Sequence, residues 1–289
     1  MSDTVRQIPY TGPYDWTAVR EFLARRAVAG VERVTETEYC RAVEVSGATG
    51  TLTVRHDPDG QSLTCEISGE GLPVGEITRR IRWMFDLDAD LTVINRHLAA
   101  DPWLAPHVKA RPAIRVFHGW DGFEVAMRSI IGQQVSVARA RDLNGVLVDR
   151  CGVPLPGRAG EPCRLFPTAA QVLEADLGRL GMPGARAATL KAMARAALED
   201  PGLFARGSSI DVTVARLRAI KGVGDWTAHY IAMRACGEPD AFPASDVGLL
   251  RGAAGFGARP LPRDLLHRAE AWRPWRAYAA HHLWAVDPM

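Results

Sequence analysis

Three features between residues 217 and 246 could act on a ligand. The first is Gly222-Val223-Gly224, flanked by helix-spaced runs: Val214, Leu217, Arg218 and Ile220 before it, and Thr227, Ala228, Ile231, Ala232 and Met233 after it. Glycine reaches backbone angles that are costly for other residues, so the segment predicts a tight turn between two helices. Such a turn leaves N–H groups open at the positive end of the second helix, where they can hold a phosphate oxygen without reading any base. Asp225, in the first turn, also suits that helix end. The second feature is Trp226 with Tyr230, four residues apart and therefore on one helix face. The third is Asp246, behind Phe242-Pro243-Ala244-Ser245 and ahead of Val247-Gly248-Leu249-Leu250, a loop-to-helix step where an acid serves as N-cap. Each has a plain alternative: a corner between core helices, a pair of core aromatics, a capping residue.

Other chemistries find little support. Cys40, Cys65, Cys151, Cys163 and Cys236 are odd in number and lack any CxxC spacing, which argues against zinc, an iron–sulfur cluster or a disulfide framework. Buried thiols are the expectation. His229, His281 and His282 read as structural or surface groups. The net charge of +2 does not by itself announce a nucleic-acid partner. Its distribution leans that way, since residues 1 to 100 hold 11 Lys and Arg against 15 Asp and Glu, whereas the rest hold 24 against 18. No run of about eighteen apolar residues exists, and the first residues lack a basic stretch leading into an apolar one, so a cytosolic protein is expected.

The elements that must position these groups fall into two classes. A chain of 289 residues, 47% of them hydrophobic, can build two or three cores. Residues 17 to 29 predict a helix, and residues 39 to 45, 49 to 56 and 62 to 68 predict strands, with Asp57-Pro58-Asp59-Gly60 turning the chain between the last two. From Gly75 onward the pattern is helical, beginning with Ile77, Ile81, Met84 and Phe85 and broken by proline-rich connections near 154 to 167 and 259 to 262. The fold class is thus mostly α with an N-terminal α+β domain.

The hairpin, aromatic pair and acid, in this order and spacing, resemble the helix-hairpin-helix DNA glycosylases, and within them the 3-methyladenine DNA glycosylase II family of bacterial alkylation repair. The likeness extends along the chain. Pro13-Tyr14-Asp15-Trp16 with Phe22-Leu23-Ala24-Arg25-Arg26 resembles the family's opening, and Ile130-Ile131-Gly132-Gln133-Gln134-Val135-Ser136 resembles its DNA-penetrating loop. Leu180-Gly181-Met182-Pro183 and the run from Trp272 through Trp275 and Tyr278 to Trp284 are similar to its later helices.

This resemblance implies an N-terminal α+β domain over residues 1–95 and two helical domains with the active cleft between them. One comprises 96–121 with 241–289, and the other, 122–240, carries the wedge loop and hairpin. It implies that Asp246 is catalytic, that Trp226, Tyr230, Trp284 and Phe22 line the base pocket, and that Gln134, Gln133, Gly222, Val223 and Gly224 bind DNA. Gln133 and Gln134 are expected at an exposed tip ahead of Ser136, with Gln134 at the wedge position, where a familiar member has an apolar residue. Trp275 and Trp284, half a turn out of phase on a helix starting near Pro274, cannot share a face.

The implied partner is double-stranded DNA bearing alkylated bases, bound by a monomer. No cofactor is implied beyond a monovalent cation at the hairpin carbonyls. Family members that also cut the strand carry a lysine two positions after the second glycine; Trp226 stands there, which implies a monofunctional enzyme. Two rivals stay open. Pro162-Cys163-Arg164 faintly resembles a methyl-accepting cysteine motif without its histidine, and a non-catalytic helix-hairpin-helix protein would use the turn as a phosphate clamp alone.

Overall fold

The chain's longest strands are antiparallel partners joined by short turns. β3 (Glu38–Val45) meets β4 (Ala48–Asp57) through Ser46-Gly47, whose φ angles of 53° and 82° give the doubly left-handed hairpin turn that matches strand twist. β4 returns to β5 (Ser62–Ser68), and two edge strands, β1 (Thr4–Pro9) and β2 (Glu32–Val34), complete a five-stranded antiparallel sheet in the order β1-β5-β4-β3-β2. Helices α1 (Trp16–Arg26) and α2 (Val74–Met84) close over it, so that Val19, Leu23, Ile77 and Ile81 share a core with Tyr39, Val43, Leu52, Val54 and Leu63. The computed structural model describes residues 3–156, 160–255 and 258–286.

The rest of the chain is helical. α3 (Leu91–Leu98), α4 (Ala105–Ala110), α5 (Gly122–Ile131), α6 (Val137–Cys151), α7 (Ala169–Glu174), α8 (Gly184–Glu199), α9 (Ile210–Arg218), α10 (Asp225–Arg234), α11 (Val247–Ala254), α12 (Pro262–Ala269) and α13 (Arg276–Val286) pack around one apolar core that runs from Leu91 to Leu283. Side-chain caps set several starts: Asp121 accepts from Glu124 N at 3.0 Å, Ser136 from Arg139 N at 3.2 Å and Asp246 from Leu249 N at 2.9 Å. α10 differs, since it begins at Gly224 with no side-chain cap. Among the described residues no helix is long and apolar enough to cross a membrane.

Sheet and helices are tied by buried charges. Arg41 on β3 donates to Glu124 at 2.8 Å, and Arg128 on α5 donates to Glu124 at 2.5 Å and to Glu32 at 2.7 Å. The Tyr39 hydroxyl donates to Glu32 at 2.8 Å. Burial pushes the Glu32 carboxyl upward, but Arg128 and Arg41 outweigh it and hold the group below its ordinary range. The network fixes α5, whose far end leads into Gln133 and Gln134.

Candidate base pocket and nucleic-acid interface

The aromatic pair stands on α10 as its spacing predicts. Trp226 and Tyr230 stack with ring centroids 5.3 Å apart and planes 18° apart, and Trp284 of α13 meets Tyr230 edge-on at 6.4 Å. Phe22, on α1, is linked to the others through the Arg234 guanidinium, which lies over all three rings. Asp246 joins two of these rings by hydrogen bonds. Its Oδ1 accepts from Leu249 N at 2.9 Å and from the Trp284 indole at 2.8 Å, while Oδ2 accepts from the Trp226 indole at 2.7 Å. A carboxylate offers about four lone pairs, so Oδ2, with one donor among the described residues, keeps one, whereas Oδ1 is filled. The two rings that wall the pocket therefore also orient the acid.

The hairpin shows different demands on its two glycines. Gly222 has φ +89°, and a Cβ there would lie 1.9 Å from Thr189 Oγ1, so both backbone and packing require glycine. Gly224 has an ordinary φ of −86° and nothing within 4 Å of a Cβ placed on it. Its small size leaves free space beside the uncapped start of α10, rather than serving the turn. Val223, between them, is buried. The glycine-favouring backbone angle expected in this turn is thus found at Gly222, while Gly224 has an ordinary one.

Gln134 is exposed and adopts a left-handed φ of 57°, so it forms the tip. Gln133 does not. It is half-buried, and its amide Nε2 donates to Thr227 Oγ1 at 2.9 Å and to Gly222 O at 3.3 Å, while its carbonyl accepts from Arg186 at 2.5 Å. The loop is short enough for one glutamine to tie it to the hairpin while the next projects. Ile220 O accepts one N–H, from Val223 at 3.0 Å, and Gly222 O accepts the Gln133 amide. Each keeps a lone pair, and an all-oxygen donor set fits a hard monovalent cation.

Comparison with known proteins places these features in a lineage. Residues 127–277 match the HhH-GPD superfamily of base excision DNA repair proteins, and residues 5–121 match the AlkA N-terminal domain. The chain belongs to the HhH-GPD superfamily. It is 33% identical to DNA-3-methyladenine glycosylase 2 of Escherichia coli K12, over 95% of each chain. It is 36% identical, over 97% of its length, to a probable bifunctional transcriptional activator/DNA repair enzyme AlkA of Mycobacterium tuberculosis H37Rv, of which it spans 56%. A solved 3-methyladenine DNA-glycosylase from Archaeoglobus fulgidus shares the fold, with a TM-score of 0.83 and 19% identity over 98% of each chain.

In this HhH-GPD chain, Trp275 lies just before α13, which starts at Arg276, so the phase comparison with Trp284 does not apply; Trp275 packs edge-on against Tyr278 at 5.9 Å. His281 and His282 are buried, and burial lowers both, His282 to about 4. His229 is half-buried, and its Nδ1 accepts from Phe242 N at 3.3 Å. Among the described residues the donors to Asp246 are Leu249, Trp226 and Trp284 rather than any histidine.

Sequence reasoning missed two groups packed on these rings, Arg26 and Arg234. A signal existed: each follows a pocket aromatic by four residues, Phe22 and Tyr230 respectively, and so shares its helix face.

Proposed function

We propose that the chain is a monofunctional DNA glycosylase that flips alkylated bases such as 3-methyladenine and 7-methylguanine out of the duplex and hydrolyses their N-glycosidic bond, leaving an abasic site. The observation that carries this reading is the Asp246 carboxylate, oriented by two pocket indoles at 2.7 and 2.8 Å with a lone pair of Oδ2 unfilled. A cap alone would use only the Leu249 contact.

Open N–H groups at the start of α10 hold a backbone phosphate, and the exposed Gln134 fills the gap that the flipped base leaves. Gln133 positions that loop on the hairpin. A cationic ring among Trp226, Tyr230 and Trp284 gains about 0.5 to 2 kcal/mol per aromatic face. As the C1′–N bond breaks, its electron pair neutralises the departing base and positive charge grows on the sugar. Asp246 stabilises that charge, and Oδ2 takes a proton from the water that adds to C1′. Ile220 and Gly222 carbonyls would hold a monovalent cation that helps neutralise the phosphate. Trp226 occupies the place a lyase gives to lysine, so strand cleavage is not part of the reaction.

In this reading the enzyme acts as a monomer. The five cysteines are free thiols, which suits the reducing cytosol. The test is incubation with methylated duplex DNA and chromatographic identification of what is released. Free 3-methyladenine and 7-methylguanine with intact strands support the reading; DNA binding without base release would leave only the phosphate clamp.

A further inference from the structure

The loop between α5 and α6 holds a backbone shape that glutamine does not favour. Gln134 has φ +57°, in the left-handed region where a Cβ crowds the following carbonyl oxygen. Such a conformation persists only where the surroundings over-determine it. Here they converge on the residue before. Gln133 N donates to Ile130 O at 3.2 Å, and its side-chain Nε2 donates to Thr227 Oγ1 at 2.9 Å and to Gly222 O at 3.3 Å. Its carbonyl accepts from Arg186 Nη2 at 2.5 Å. The first three bonds fix where Gln133 sits. The fourth acts on the peptide group that joins it to Gln134, and the carbonyl carbon of that group begins the φ torsion of Gln134.

Arg186 is well placed for this. It is the third residue of α8 and is half-buried, so its guanidinium approaches the loop from a helix rather than from another loop. A charged donor bonds a carbonyl more strongly than an amide does. The turn ahead of α8 is itself tied across the loop, since Arg139 on α6 donates from Nη2 to Gly181 O at 3.4 Å. An arginine beside a nucleic-acid surface ordinarily goes to phosphate, whereas this one bonds the chain's own backbone. We infer that Arg186 is a positioning residue: by holding the Gln133 carbonyl toward α8 it keeps the next residue in the left-handed turn that projects Gln134, and so it acts on base extrusion through Gln134. The inference rests on the glycosylase reading and concerns how that enzyme's loop is set before it meets DNA.

The test measures Arg186→Met and Arg186→Lys in the full chain, each with Gln134 intact and with Gln134→Gly, because glycine takes a left-handed φ freely and has no side chain to project. One duplex carries 7-methylguanine, whose release is followed in single turnover. A second carries an abasic-site analogue opposite 2-aminopurine, whose fluorescence rises when a side chain entering the gap unstacks it; this readout needs no base release. With Gln134 intact, Arg186→Met should reduce the fluorescence rise and slow release about tenfold, the lower end of what a hydrogen bond from a charged group contributes. Arg186→Lys should recover release to within about threefold, since a single bond to a carbonyl needs a charged donor but not a fork. In the Gln134→Gly background, Arg186→Met should change neither readout by more than about twofold, because the broken bond has nothing left to position. The salt dependence of binding to undamaged duplex should match wild type, as no phosphate contact is lost. Equal losses in both backgrounds, or a shallower salt slope, would assign Arg186 to the fold or to a phosphate and overturn the inference. Wild-type behaviour of Arg186→Met in both assays overturns it as well, as does a wild type without the fluorescence rise. Arg186→Ala, which favours the helix, takes over if Arg186→Met does not fold. A wild type that shows the fluorescence rise but releases no 7-methylguanine overturns the glycosylase reading instead, and the fluorescence arms still decide the role of Arg186.

Discussion

Asp246→Asn changes the site with the least change in shape, and the hydrogen bonds say what it should do. Wild-type Oδ1 serves Leu249 N and the Trp284 indole at 2.9 and 2.8 Å, and Oδ2 serves the Trp226 indole at 2.7 Å. Asparagine keeps one acceptor oxygen. With that oxygen toward Leu249 and Trp284, the α11 cap survives and the new NH₂ faces the Trp226 N–H, donor against donor. The other orientation orphans two N–H groups instead of one. The expected stability loss is therefore a single charge-assisted hydrogen bond, about 1.5 to 3 kcal/mol, and the protein still folds. Chemistry should suffer more, because a neutral amide meets the charge growing at C1′; loss of one preorganised electrostatic group costs about 10²- to 10³-fold, or about 2.7 to 4 kcal/mol. Trp226→Phe is the control, since it removes the N–H at Oδ2 but leaves the carboxylate and a ring. Its release rate should fall by only about tenfold, well short of the loss expected for the charge itself. Single-turnover release of 7-methylguanine, alongside abasic-DNA affinity and thermal unfolding, measures all three effects. If asparagine slows release no more than phenylalanine at 226 does, the charge on Asp246 is not what drives the reaction.

Three further outcomes follow from the geometry. Gly222→Ala should lose about 2 kcal/mol or more in urea unfolding, because it combines a left-handed backbone with an overlap on Thr189, whereas Gly224→Ala should keep wild-type stability and bind every DNA sequence more weakly; equal unfolding midpoints would contradict this. Borohydride added during turnover should trap no protein–DNA adduct and strands should break only after alkali, since Trp226 stands at the lysine position; a trapped species would point to the exposed Lys221. Burial pushes Asp86 up to about 6, so the folded state holds a proton that the unfolded chain releases near pH 4, and stability is lost as pH rises from about 4 through 6. Asp86→Asn, whose amide oxygen can still accept from Val116 N and the Tyr278 hydroxyl, should gain about 3 kcal/mol at pH 8 and almost nothing at pH 3.5; urea titrations at both values check the sign.

Local signals account for what was legible. The three long strands show alternation bounded by turn residues, and they form within one or two residues of their expected ends. β1 and β2 escaped because Ile8 is the only buried residue of β1 and β2 is three residues long, too little for either to show a period. The hairpin, the aromatic pair and the cap at Asp246 are contiguous in sequence, so their spacing carried through to the site. Arg26 and Arg234 look like solvent-facing charges on amphipathic helices; only the meeting of α1, α10 and α13 buries them among rings. Gln133 turns inward for a similar reason, because its partners on the hairpin are about ninety residues further along.

The charge network that joins β2, β3 and α5 bears on how this protein could be cut, fused or recombined. Glu32 and Arg41 lie in the segment that matches the AlkA N-terminal domain, and Arg128 in the HhH-GPD segment. Separating the segments strips each of its counter-charges, and breaking a buried pair costs about 3 to 5 kcal/mol. The two segments therefore depend on each other: a chimera that takes its sheet from a relative must bring a matching acid at 32 and base at 41, or the helical half receives orphaned charges on the helix that leads into Gln133 and Gln134. The sheet acts as a mount, and the stiffness of the loop at Gln133 and Gln134 is set in part by strands remote from it in sequence.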